Sequence, residues 1–198
     1  MTDRAPPSAP ATLEDLLAIP EEKRHHELIE GAIVEKGAST GEHGHAQFRL
    51  SASLAPFNRR SGGRWPGGWW SGIAVDIYFD PANSFCPDVA GWRRDRIPEP
   101  PSGMLVMVRP DWVCEILSTN RTNDLIKKKR VYHRFGVPHC WIIDPAEETL
   151  LVNRWTPDGY LEILAAERSE RVRAEPFDAI SLQVGIFFGG DDEENEPA

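Results

Sequence analysis

The sequence has no run of apolar residues long enough to cross a membrane. A bilayer-spanning helix needs about 20 of them in a row, and every apolar stretch here is interrupted far sooner by charged residues, glycine or proline. The N-terminal sequence MTDRAPPSAPATLEDLL also lacks the apolar core of a secretory signal peptide. We therefore expect a cytoplasmic protein with no membrane partner.

Cysteine is scarce, which excludes the usual cysteine-based scaffolds. The three cysteines, Cys86, Cys114 and Cys140, lie in apolar runs without Cys-x-x-Cys spacing and are expected to be reduced core residues. His43 and His45 form a His-x-His pair, but no further ligands follow at useful spacing, and on a helix the two rings point about 200° apart. We expect neither zinc nor an organic cofactor.

Positive charge is in deficit. The chain has 22 Lys and Arg against 31 Asp and Glu, which gives a formal net charge of -9. A chain this acidic is not an obvious nucleic-acid-binding protein, so such a function would depend on a local basic patch. The basic residues do cluster, in the stretches 59–64, 93–96 and 127–130.

The length and the order of the predicted elements indicate one domain. We place it at residues 12–188, between a disordered Pro/Ala/Ser-rich tail at 1–11 and a disordered acidic tail at 189–198. Apolar periodicity predicts these elements in chain order: a short helix from Thr12, a hairpin in HHELIEGAIVEK, a helix at 42–59, strands at 73–79, in FCPDVAGW and in DWVCEILS, a helix in NDLIKKKRVYHRF, a strand in HCWIID and a hairpin through TPDG. The predicted fold class is α/β, with a central mixed sheet flanked by helices and with additional hairpins.

Two acidic residues stand where the pattern calls for apolar side chains. Glu115 is the only charge inside WVCEIL, and Asp88 is framed by apolar residues in FCPDVA. Burying a lone charge is costly unless it is paired or binds a metal. A buried pair with arginine or a wet strand edge would also explain Glu115, and a Pro-Asp turn would explain Asp88.

Lys128 stands in the middle of an apolar helix face. With Leu125 at zero and about 100° per residue, Val131 lies near 240°, Phe135 near 280° and Lys128 near 300°. Only five of the 22 basic residues are lysines, so a lysine here is not background composition. Either Lys128 reaches out from the core edge to solvent or it faces the carboxylate of the preceding strand.

Two carboxylates on neighbouring strands and one lysine suit phosphodiester hydrolysis. The carboxylates can bind a hard cation such as Mg²⁺, with Mn²⁺ as a substitute. Such a cation polarises a phosphoryl oxygen and activates water, which the lysine positions or deprotonates.

At these residues the chain resembles the Uma-two family of restriction endonucleases, within the PD-(D/E)-x-K nuclease superfamily. HELIEGAIVE is similar to the family's opening motif, CPDVAGW to its P-D strand, DWVCEILSTN to its next strand and loop, and NDLIKKKRVYHRFGVPHCWIIDP to its D-L-x-x-K…Y…G-V…W…D-P segment. The resemblance covers roughly residues 12–188. It departs from the family pattern at Ser118-Thr119-Asn120 and at His139-Cys140.

The resemblance implies a restriction-endonuclease-like fold and a metal-dependent endonuclease acting on nucleic acid, most simply DNA. It implies Asp88 and Glu115 as metal ligands and Glu27 as a further acidic ligand or a partner of a metal-bound water. Position 117, where the superfamily has its lysine, is Leu117, and the resemblance transfers that catalytic role to Lys128. The alternative is an interaction protein that keeps the nuclease fold as a non-catalytic scaffold.

Weaker candidates surround this set. We predict phosphate contacts from the basic residues Arg93, Arg94, Arg96, Lys127 and Lys129. His45 matches a histidine of the family's helix and either approaches the cleft or caps and packs. Trp65, Trp69 and Trp70 either stack on bases or, as we favour, pack against the core. This aromatic loop is also compatible with a homodimer.

Overall fold

The computed structural model describes residues 9–20, 23 and 25–191. Residues 1–8 of the predicted N-terminal tail and 192–198 of the predicted acidic tail lie outside this part of the chain. Within it, no helix combines the length and the apolar character that crossing a membrane requires.

Helices are few and short. They comprise α1 at Leu13–Leu17, α2 at Gly41–Leu54, a π-helical segment at Asn123–Lys128 that runs directly into α3 at Lys129–Arg134, and a 3₁₀ helix at Val184–Phe188. The Thr40 hydroxyl caps α2 by accepting a hydrogen bond from the amide of His43, which satisfies one of the free amides of the first turn.

Strands form most of the domain. In chain order they are β1 His26–Ile29, β2 Ala32–Glu35, β3 Trp69–Ile73, β4 Ile77–Asp80, β5 Asn83–Phe85, β6 Val89–Arg93, β7 Trp112–Ile116, β8 His139–Asp144, β9 Thr149–Thr156, β10 Gly159–Glu167, β11 Arg171–Val172 and β12 Leu182–Gln183. A six-stranded sheet has the order β10-β9-β8-β7-β6-β3, a four-stranded sheet has the order β2-β1-β5-β4, and β11 pairs with β12. In the larger sheet β7 and β8 run parallel and the other neighbours run antiparallel. The predicted α/β class with a mixed central sheet is therefore confirmed.

The six-stranded sheet separates two apolar cores. On one side α2 packs through Leu50 and Leu54 with Phe177 and the 3₁₀ helix. On the other side α3 and the four-stranded sheet pack against Val113 and Leu117. Glu115 lies two residues from each of them and therefore on the same face, so its side chain enters the second core.

Two predicted strands are wrong as continuous elements. The stretch 73–79 is broken at Ala74, whose φ of 50° lies in the left-handed region, so that β3 and β4 belong to different sheets. FCPDVAGW is likewise divided between β5 and β6, and Asp88 stands at the corner between the two sheets. The helix predicted at 42–59 ends at Leu54, and Trp69 and Trp70 begin β3 instead of lying in the loop.

Other predicted features are confirmed. The chain leaves α3 through Gly136, whose φ of 65° suits a glycine after a helix end. TPDG joins β9 to β10 in an antiparallel hairpin. Cys86, Cys114 and Cys140 are all buried free thiols.

Candidate functional site

Asp88 and Glu115 lie on neighbouring strands. In the antiparallel pair β6–β7, Val89 is opposite Cys114, which places the residue before β6 beside the end of β7. The carboxylate of Asp88 reaches across and its Oδ2 accepts a hydrogen bond from the amide of Ile116 at 2.7 Å. The sheet thus fixes one acid against the backbone that carries the other.

Lys128 lies at the centre of three carboxylates. Its Nζ is 3.1 Å from Oε2 of Glu27, 3.3 Å from Oε2 of Glu115 and 3.1 Å from Oδ1 of Asp124. The lysine is only 4% exposed. Its buried position rules out the alternative in which the side chain extends to solvent.

The four residues implied by the resemblance, Glu27, Asp88, Glu115 and Lys128, line one cavity of about 130 Å³. β1 supplies Glu27, the corner before β6 supplies Asp88, β7 supplies Glu115, and the π-helical segment supplies Lys128. π-Helical turns are rare and often occur at functional sites. Here one such turn presents both Asp124 and Lys128 to the cavity.

Burial and charge act together on the ionisation of this cluster. Burial raises the pKa of Glu115 well above its ordinary value and also raises the pKa of Asp124. Burial by itself would lower the pKa of Lys128, but the surrounding carboxylates outweigh it and raise that pKa well above the ordinary value. Lys128 is therefore a charged ammonium, suited to orienting groups rather than to removing a proton.

Further hydrogen bonds hold the carboxylates in place. The Tyr132 hydroxyl donates to Oε1 of Glu115, and the amide of Cys86 donates to Oε1 of Glu27 at 3.0 Å. Both oxygens of each glutamate are thereby engaged. This accounts for how the acids are accommodated away from water.

His43 holds the remaining oxygen of Asp88. Its Nε2 lies 3.1 Å from Oδ1 of Asp88, and this contact raises the pKa of His43. The other ring nitrogen, Nδ1, is buried without a hydrogen-bond partner. Sequence reasoning weighed His43 only as a zinc ligand and assigned it no role in the cleft. The available signal was its position seven residues before Leu50, on the buried face of α2.

Asp124 was also missed as a site residue. It is buried, and on the helical wheel used above it falls near 260°, inside the apolar stripe that drew attention to Lys128. The same argument that selected the lysine would have selected this aspartate.

The weaker candidates do not line the cavity. Arg93, Arg94 and Arg96 stand at the opposite end of β6 from Asp88, where Arg93 pairs with Asp95 and Arg96 pairs with Asp111. The other three candidates, Lys127, Lys129 and His45, lie on the helices. Lys129 donates to Asn153, His45 contacts the carbonyl of Ile186, and Lys127 is half-buried.

The tryptophans of the predicted loop differ from one another. Trp69 is buried against Phe177, with ring centroids 5.0 Å apart. Trp70 donates its ring N–H to the carbonyl of Ile97. Both therefore pack, as favoured, whereas Trp65 is 44% exposed.

The donor set fits a hard divalent cation. Glu27, Asp88 and Glu115 offer carboxylate oxygens, the ligands that Mg²⁺ takes in proteins, and the space between the two glutamates already holds a positive charge, the ammonium of Lys128. In the described ranges no three Asp, Glu, His or Cys side chains are preassembled around a metal-sized gap. The carboxylates instead contact Lys128 and His43. A bound cation would have to replace some of these contacts.

Comparison with known proteins identifies a family and a solved structure of similar fold. The family model of Uma2, "Putative restriction endonuclease", matches residues 13–185. A crystal structure described as a putative nuclease belonging to DUF820, from Anabaena variabilis, is 24% identical and superposes with a TM-score of 0.69, covering 91% of this chain and 98% of its own. That likeness establishes the restriction-endonuclease-like fold. Among curated proteins, none matches this sequence.

Proposed function

Because this chain belongs to the Uma2 family, we propose that it is a metal-dependent endonuclease that hydrolyses phosphodiester bonds in DNA. The observation that carries the proposal is the buried ammonium of Lys128 among Glu27, Glu115 and Asp124, in the cavity that Asp88 also lines. A protein that needed only the scaffold would gain nothing from burying so many charges, since each must be compensated.

Glu27, Asp88 and Glu115 would hold the cation, Mg²⁺ or Mn²⁺. When bound, it would polarise a phosphoryl oxygen and lower the pKa of a water ligand. Lys128 would then leave Glu27 and Glu115, and its ammonium could contact the phosphate of the substrate.

The protein's own groups position the reaction. Lys128 has three N–H donors and a fixed positive charge, which suits it to orient the attacking water and to stabilise the negative charge that develops on the phosphate. His43 and the amide of Ile116 fix the two oxygens of Asp88, and Tyr132 fixes one oxygen of Glu115. The burial of the cluster limits bulk water, which strengthens each of these electrostatic contacts.

The test is incubation with supercoiled and linear DNA, in Mn²⁺ or in EDTA. We expect the parent protein to nick and linearise supercoiled DNA with Mn²⁺ and to leave it intact with EDTA. Glu115→Gln keeps the shape of the side chain but removes its charge and should abolish cleavage. Cleavage in EDTA, or equal cleavage by Glu115→Gln, would refute the proposal, and a parallel RNA substrate tests the preference for DNA.

A further inference from the structure

Four arginines form a positive surface without an acidic partner among the residues that the structure describes. Most exposed arginines of the described chain have a carboxylate partner, such as Arg130 with Glu30 and Arg134 with Asp80. In the same part of the chain no carboxylate lies within ion-pair distance of the following four: Arg59, Arg60, Arg64 and Arg94. In a chain of net charge -9, such a group is conspicuous because so many acids are available as partners.

These arginines gather around two tryptophans. The guanidinium carbons of Arg59 and Arg64 lie 5.8 and 5.4 Å from the Trp65 ring centroid, and that of Arg94 lies 3.3 Å from the Trp70 centroid. Partial burial and the nearby positive charge of Arg60 both lower the pKa of Arg94. We refer to Arg59, Arg60, Arg64, Arg94 and Trp65 as the arginine–tryptophan patch.

One face of α2 connects this patch to the cavity. His43 and Gln47 line the cavity, and Gln47 donates to the carbonyl of Asp88 at 2.8 Å. Four and eight residues beyond Gln47, Ser51 and Ala55 line a groove of about 320 Å³. Residues at this spacing lie on the same side of a helix, so the cavity and the groove share one wall.

The opposite wall of the groove is the edge strand of the large sheet. Ile73 and Ser71 of β3 line it together with Val89, and Arg59 is also among its lining residues. Ile73 is 53% exposed although apolar. Next to it, Ala74 lines the cavity and donates its amide to the carbonyl of Asp88. The groove therefore runs between the site and the patch.

We propose that the groove and the arginine–tryptophan patch bind a single strand of DNA that extends from the cavity. The inference rests on the proposed function. Guanidinium groups bind phosphates with charge-assisted hydrogen bonds, and exposed apolar and aromatic side chains such as Ile73 and Trp65 suit the faces of unpaired bases. The 14 residues of α2 span roughly 20 Å at 1.5 Å each, which is the length of the wall that such a strand would follow.

Binding is measured by fluorescence anisotropy in EDTA, with labelled single-stranded and duplex oligonucleotides of about 20 nucleotides. The test variant is Arg60→Ala with Arg64→Ala. The control is Arg130→Ala with Arg134→Ala, which removes the same charge from exposed, paired arginines. The test variant should bind single-stranded DNA at least about tenfold more weakly. The slope of its log binding constant against log salt concentration should be shallower by about 1.4. The control should bind like the parent.

Three results would overturn the inference: no binding by the parent, equal losses in the two variants, or duplex binding as tight as single-strand binding. Hydrolysis of bis(4-nitrophenyl) phosphate with Mn²⁺ separates this inference from the proposed function. That diester is too small to reach the patch, so the test variant should hydrolyse it at the parent rate. If the parent does not hydrolyse it or cut DNA, the proposed function fails while the binding comparison still decides the inference.

Discussion

The hydroxyl of Tyr132 donates a hydrogen bond to Oε1 of Glu115 in the interior of the protein. The ring is fully buried against Phe79 and Phe85, so Tyr132→Phe should keep its packing and lose only this bond. We expect the free energy of unfolding to fall by about 1–3 kcal/mol, because a buried carboxylate oxygen loses its donor. We also expect weaker Mn²⁺ binding in calorimetric titration, since Glu115 would no longer be held in orientation.

Tyr160→Phe is the matched control. Its hydroxyl donates to the backbone carbonyl of Val137 at 2.7 Å, and it does not line the cavity. This variant should lose stability without any change in Mn²⁺ affinity. An equal effect of the two variants on Mn²⁺ binding would show that Tyr132 has no positioning role.

Lys128→Met tests the ammonium. Removing it leaves Glu27, Glu115 and Asp124 buried without their shared countercharge, so the unfolding free energy in EDTA should drop by about 3–5 kcal/mol. DNA cleavage should fall by roughly 10²–10³-fold, the scale for removing one group that stabilises charge in the transition state. Added Mn²⁺ should restore part of the stability, because it supplies positive charge to the same carboxylates.

Lys23→Met serves as the control for this experiment, because this lysine is exposed and does not line the cavity. It should unfold and cleave like the parent. If Lys128→Met were as stable and as active as the parent, the lysine would be neither the structural nor the catalytic centre of the cluster.

Helix periodicity in the sequence identified one residue of the site and left two others without a role. The wheel placed Lys128 in an apolar stripe, and it is buried. The same stripe contains Asp124, and the buried face of α2 contains His43. Periodicity alone does not distinguish a site residue from an ordinary buried polar side chain. Helix geometry therefore predicts which side chains point inward but not which residues they contact.

The corners between the sheets could not be predicted. Alternation of apolar residues runs unbroken through 73–79, yet Ala74 adopts a φ of 50° and the chain passes from the large sheet to the small one. Asp88 marks a second such corner. Alternation of apolar residues indicates which face of a strand is buried but not which sheet the strand joins. The sheet is decided by the neighbouring strands, which are distant in the sequence.

Gly37→Ala tests the rim of the cavity. A Cβ at this position would come within 2.3 Å of the Ser118 hydroxyl oxygen and 3.2 Å of its Cβ, so the hydroxyl must rotate and the loop after β2 must shift slightly away from the loop after β7. The hydrogen bond from Asn120 to the carbonyl of Glu35 joins the same loops. We expect a loss of about 1–3 kcal/mol in urea unfolding and a raised KM for DNA.

Two variants check that interpretation. Gly41→Ala meets nothing within 4 Å and should unfold and cleave like the parent. Ser118→Ala combined with Gly37→Ala removes the obstructing oxygen and should recover most of the lost stability. No recovery in the double variant would contradict the proposed clash.

The ion pair between Arg121 and Asp144 predicts a pH dependence of stability. Arg121 Nη1 donates to Oδ1 of Asp144 at 2.9 Å, and this bond lowers the pKa of Asp144 in the folded protein from its ordinary 3.8. A carboxyl group with a lowered folded pKa stabilises the protein above its unfolded pKa, and that contribution is lost as the pH falls through the folded pKa.

Asp144→Asn should therefore cost about 1 kcal/mol at neutral pH, a modest value because Arg121 is partly exposed. The difference from the parent should shrink in urea unfolding at acidic pH, below the ordinary pKa of 3.8. Asp158→Asn, at an exposed turn position, should show no difference at either pH. A constant deficit of Asp144→Asn across the range would contradict the ion-pair explanation.

The central claim is that Glu27, Asp88 and Glu115 together bind the cation used for cleavage. Its most direct measurement is calorimetric titration of the DNA-free protein with Mn²⁺, comparing the parent with Asp88→Asn. We expect saturable binding by the parent and at least about tenfold weaker binding by the variant, because even residues that only orient a metal's ligands contribute to affinity on that scale. No binding by the parent, or the same affinity in both proteins, would contradict it.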